Sequence, residues 1–112
     1  MALNRYVTER GMGVDVHGRD YTNAAKRAVS DAIRHSSLNF FRALNKSPDD
    51  MRITVMIGIA NPDAVDTDAV ARELPYGTVE VNVVQGGLEV PTETGDDAMV
   101  IANAAVIVCF DE

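Results

Sequence analysis

Asp15 and His17 are the residues of this chain best placed to do chemistry. They sit two apart in Gly11-Met12-Gly13-Val14-Asp15-Val16-His17-Gly18, a stretch that reads as a β-strand. Successive side chains on a strand alternate sides, so Gly11, Gly13, Asp15 and His17 share one face and Met12, Val14 and Val16 share the other. On strand geometry the Cβ atoms of Asp15 and His17 lie about 7 Å apart, near enough to share a ligand, a water or a metal ion. A carboxylate beside an imidazole fixes its tautomer and raises its basicity, as general acid–base catalysis requires. The pair also suits a divalent metal, but one Asp and one His are too few for a stable site, so a third ligand must come from elsewhere.

The glycines around the pair need a reason. Glycine inside a strand costs roughly 0.5–1 kcal/mol relative to alanine, and it often marks a bulge or the close approach of a ligand or second backbone. With the odd face open, Gly11 and Gly13 form a bare floor for a ligand beside Asp15 and His17, with Gly18 at its end. A structural reading stands beside this one: Asp15 caps backbone amides and Gly18 supplies a positive φ as the strand enters a turn. Gly86-Gly87 has two readings as well, a bulge or a backbone cradle for a ligand. Asn103 interrupts an apolar strand, so it either satisfies a subunit contact or lines a site. His35 reads as an exposed helical residue and Cys109 as an inert core thiol. Glu93, Asp96, Asp97, Asp111 and Glu112 read as solvated surface.

Composition narrows the classes of function. The 112 residues suit one domain, residues 1–112, and 46% hydrophobic content suits a globular core rather than disorder. There is no run of 18 apolar residues, hence no membrane span, and the N-terminal stretch lacks the apolar core of a signal peptide. A single cysteine fits a reducing, cytoplasmic setting. The net charge of −7, with no basic stretch and no Trp, argues against nucleic acid and anionic membrane surfaces as partners. Phosphate loops, nucleophile elbows and zinc cysteine patterns are missing.

The elements that must position the pair follow from periodicity. Residues 4–10 lead into the first strand, and the change of apolar phase between Val7 and Met12 predicts a bulge near Arg10-Gly11. Asp20 or Thr22 caps a helix of about 14 residues, in which Ala24, Ala25, Ala28, Val29, Ala32 and Ile33 recur at helical spacing. Leu38, Phe40, Phe41 and Leu44 resume the pattern, as a kinked continuation or a second piece. Residues 52–60 form a second strand, with Ile53, Val55, Ile57 and Ile59 on its apolar face. After the Asn61-Pro62-Asp63 turn, Asp66 or Thr67 caps a short helix, residues 68–74. A third strand covers 78–85, a short extended piece 88–91, and a last strand, apolar on both faces, 99–110. The order β-α-β-α-β-β predicts an α+β domain, a four-stranded mixed sheet with two helices on one face.

The other sheet face would carry Gly11, Gly13, Asp15, His17, Thr54, Met56, Gly58, Val84 and one side of the last strand. That is too apolar to leave in water, and symmetric self-association is the simplest remedy. Asp15 and His17 would then sit at a subunit boundary.

Gly11-Met-Gly-Val-Asp15-Val-His17-Gly18 resembles the GxGxDxHG signature of a small family of conserved hypothetical proteins of the same length. Ala60 to Val65, Asp68 to Leu74 and Thr78 to Val83 resemble the middle of the trimeric, β-rich chorismate mutases, which belong with the YjgF-like folds. That resemblance implies a trimer around a barrel-like core with sites between subunits. The mutase activity is not implied, because Gln85-Gly86-Gly87 stands where that family places a glutamate. Gly13-Val-Asp15-Val-His17 is also similar to the metal-binding opening of the cyclodiphosphate synthases, which implies a divalent metal at Asp15 and His17. Two functions remain: an enzyme acting on a small polar metabolite at Asp15 and His17 between subunits, or a non-catalytic ligand-binding or structural homo-oligomer.

Overall fold

The computed structural model describes residues 2–34 and 45–112. Strand β1 (Leu3–Asp15) leads into helix α1 (Tyr21–Arg34), followed by β2 (Arg52–Ile59), the short helix α2 (Thr67–Ala71), β3 (Thr78–Gln85), β4 (Leu88–Pro91) and β5 (Ala98–Asp111). The α+β class and the element order agree with the sequence reading. The sheet has five strands rather than four, because the extended piece at 88–91 joins it. His35 and the apolar residues 38–44 lie outside the described residues.

β5 is the centre of the sheet. It runs antiparallel to β1 along one side, and on the other side it pairs with β2 and then, at its N-terminal end, with β4. β3 lies parallel to β2, which makes β1 and β3 the two outer edges. The β1–β5 register shifts between Arg5 and Val7, so the bulge falls five residues earlier than the apolar phase suggested.

The core lies on one face. Ala24, Ala25, Ala28, Val29 and Ala32 of α1 are fully buried against Val100, Ala102, Ala104 and Val106 of β5 and the Ile53, Val55, Ile57 and Ile59 row of β2. Val70 of α2 joins the same cluster. Small residues on α1 allow the helix to lie very close to β1, and the glycines of β1 are the other half of that fit. A Cβ on Gly11 would lie 2.3 Å from the Ala28 carbonyl oxygen, and one on Gly13 would lie 2.2 Å from that of Ala24. The glycine face is therefore the inner face, occupied by a helix. Met12, expected inside, is 54% exposed on the outer face. The chain places glycine rather than a large side chain inward here because α1 needs the space.

The outer face has no covering element among the described residues. Register places Met12, Asn103, Gly58 and Val84 in one row across it and Val14, Ile101 and Leu88 in the next. Met12, Val84, Leu88 and Val90, all on this face, are among the most exposed large apolar side chains.

Candidate functional site

β1 ends at Asp15, and α1 begins six residues later, so the connecting turn must be held tightly. Asp15 does this from inside. It is a buried charged side chain, 6% exposed, and its carboxylate accepts from the backbone N–H of Asp20 (3.0 Å) and from Asn23 Nδ2 (2.9 Å). Asp20 in turn caps the helix, its carboxylate accepting from Asn23 N at 3.0 Å. Both Asp15 oxygens are thus engaged at the helix start, the capping role that the structural reading of the motif allowed.

His17 lies past the end of the strand, so alternation no longer governs its direction. Its side chain is 85% exposed and does not pair with Asp15. Nδ1 instead faces Asp97 Oδ2 at 3.2 Å, 80 residues away in the chain. Asp97 is firmly anchored: Oδ1 accepts from Gly18 N and from Ala98 N, each at 2.8 Å. The Gly18 and Ala98 amides hold the Asp97 carboxyl below its usual range, with a smaller contribution from His17. An ionised carboxylate only accepts, so this contact calls for a proton on His17 Nδ1, which in the neutral imidazole leaves the Nε2 lone pair free.

Arg19 braces this arrangement. Its Nη2 donates to the carbonyls of Gly95 and Asp97, each at 3.3 Å, and its Nε lies 3.7 Å from Glu89. Its backbone takes a φ of +48°, a left-handed conformation costing a non-glycine residue about 1–2 kcal/mol, which these contacts help offset. Tyr21 donates its hydroxyl proton to Glu89, and that bond raises the phenol above its ordinary value. The end of β1, the start of α1, β4 and the 92–97 turn therefore meet in one polar group: His17, Arg19, Tyr21, Glu89 and Asp97.

The other sequence candidates separate. Gly18 belongs to the site, with φ +90° and its N–H on Asp97. Gly11 and Gly13 seat α1 and offer no ligand floor. Gly87, at φ +61°, carries the backbone past the end of β2 so closely that a Cβ would lie 2.2 Å from the Ile101 carbonyl oxygen; Gly86 N donates to Ile59 O at 3.0 Å. Their glycines serve a strand crossover. Asn103 is exposed on the outer face. Among the described residues no three His, Cys, Asp or Glu side chains are grouped to hold a metal ion, and Asp15 and His17 face different partners, Asp20 and Asn23 in one case and Asp97 in the other. Nothing local in the sequence marked Asp97, Glu89 or Arg19, because their partners are distant in the chain.

Fold and site together define a small α+β domain with a sheet face left open by the described residues and a polar turn site at its rim. The sequence matches, over residues 5–108, the family described as conserved hypothetical protein (Lin0512_fam), and the chain belongs to that family. A solved structure from Nostoc punctiforme, described as an FtsZ-like protein of unknown function, is 38% identical with a TM-score of 0.89, covering 100% of this chain and 99% of that one. No curated protein matches. The family and this structural relative are alike of unknown function.

Proposed function

We propose that this chain is an acid–base enzyme for a small polar metabolite, with His17 as the proton-transferring group and Asp97 as its orienting carboxylate. The Asp97 geometry carries the reading. Two backbone amides fix the carboxylate, which fixes the imidazole tautomer and leaves the exposed Nε2 basic. This keeps the role first assigned to His17 and replaces Asp15 with Asp97 as its partner. No step depends on a metal.

We further propose that the working form is a homo-oligomer, most simply a trimer, in which the outer sheet faces pack together. The rows of Met12, Val84, Ile101 and Leu88 support it, since an apolar face of that extent is rarely left in water. Asp97 immediately precedes β5 at the apolar end of this face, so a neighbouring subunit would close over His17. A reducing cytoplasm suits the lone Cys109.

The enzyme reading is tested by thermal-shift titration with a panel of small carboxylates and phosphates, comparing wild type with His17→Gln and Asp97→Asn. Stabilisation by at least one compound that both variants lose supports it, whereas equal responses from all three proteins refute it. Light scattering at micromolar concentration tests assembly. A 12 kDa particle would refute it, and Val84→Asp is expected to dissociate the oligomer by placing an unpaired charge in the interface.

A further inference from the structure

The two edges of the sheet are treated differently by the chain. An exposed edge is open to pairing with another strand unless something blunts it. Along the C-terminal half of β1, α1 blunts it: Asp31 accepts from Met12 N at 3.0 Å and Arg27 donates to Val14 O at 2.6 Å. These two bonds also show which backbone groups point outward. By ladder alternation the amides of Thr8 and Arg10 point the same way, and no described side chain bonds to them. Beside them runs a groove of about 680 Å³, bordered by Glu9, Arg10, Met12 and Asp31. The opposite edge, β3, has eight residues and no described side chain bonded to its outer backbone.

The charges on the two edges are complementary. Arg5 and Arg10 project from β1 on the outer face, and Glu80 projects from β3 on the same face. All three are exposed, and none forms an ion pair among the described residues. Arg52, diagonal to Glu80 on β2, does not pair with it either. Within one subunit three strand spacings separate Glu80 from the β1 arginines, roughly 14 Å, so they are too far apart to meet.

We propose that the N-terminal half of β1 in one copy pairs with β3 of the next, bringing Arg10 beside Glu80 of the neighbouring copy. This rests on the assembly proposed above and specifies its contacts. β1 and β3 run in the same direction within the sheet, so a ring closed about an axis along the strands pairs them parallel. The contact is head-to-tail and closes as a ring, with the outer faces turned inward. The Arg27 and Asp31 bonds mark where the pairing stops.

The test uses disulfide trapping and charge exchange in the full chain. In a Cys109→Ser background, Arg10→Cys together with Glu80→Cys should link copies under mild oxidation up to the full ring, while either cysteine alone should leave monomers. Glu80→Arg and Arg10→Glu should each raise the concentration of half-dissociation about tenfold or more, and the two combined in one chain should restore assembly. If wild type scatters as an oligomer but the paired cysteines do not link, or the single charge changes leave its mass unchanged, the edge pairing is wrong and face-to-face assembly stands. Linkage by a single cysteine would show like edges meeting and would also overturn it. A wild type that scatters as a 12 kDa particle at micromolar concentration removes the assembly itself.

Discussion

Asp97 Oδ2 faces His17 Nδ1 at 3.2 Å while Asp97 Oδ1 is held by Gly18 and Ala98, so one carboxylate ties the first strand's exit to the last strand's entry. Asp15, the acid adjacent in sequence, faces inward and holds the helix. The two carboxylates therefore have separable consequences.

Asp15→Ala should destabilise the protein by about 1–3 kcal/mol, because it leaves Asp20 N and Asn23 Nδ2 without their buried acceptor. His17→Gln, at an exposed position, should change stability by less than about 0.5 kcal/mol. Urea unfolding of both variants checks this. Equal losses would mean that the two residues act as one structural unit.

Asp97 should report on acid. Its folded value is held below the ordinary 3.8, so the stabilisation it provides is full above that pH and fades as pH falls through the lower folded value. The amide proton shifts of Gly18 and Ala98 should move together as pH falls below about 4. In Asp97→Asn that movement should disappear.

Glu112 makes a second acid-sensitive contact. Its carboxylate accepts from Asn4, Tyr6 and Lys46, and these bonds, Tyr6 foremost, bring it from 4.5 to about 2. The clasp is intact above pH 4.5 and loosens as pH falls toward 2. Hydrogen exchange at the start of β1 should quicken over that interval, and Glu112→Gln should show the quickened exchange already at pH 7.

Gly13→Val should unfold or strongly destabilise the subunit. Its side chain would have to occupy the place of the Ala24 carbonyl and the Ala28 amide, 2.2 and 2.3 Å from the new Cβ, both of them backbone. A cost of about 3 kcal/mol or more is expected, at or beyond the upper end of ordinary overpacking. A folded variant with native melting would show that α1 can move away from β1.

Much of the fold was legible in the sequence. The alternation in β2, β3 and β5 and the 3.6-residue period of α1 are local properties, and they placed these elements within a residue or two. The second sheet face, open among the described residues, was legible as well, because Thr54, Met56, Gly58 and Val84 keep strict phase with the buried Ile53, Val55, Ile57 and Ile59. For β1 the same reasoning chose the wrong inner face. Hydrophobicity alone put Met12 and Val14 inside, whereas the closeness of α1 demands glycine there, and that distance is set only when helix and sheet pack. The motif Asp15-x-His17 named two polar residues that matter but not their partners. Strand geometry linked them to each other, but the strand stops at Asp15, and the turn that follows sends His17 to Asp97. A contact across 80 residues has no periodicity to betray it; only the antiparallel pairing of β1 with β5 brings Asp97 to the end of the first strand.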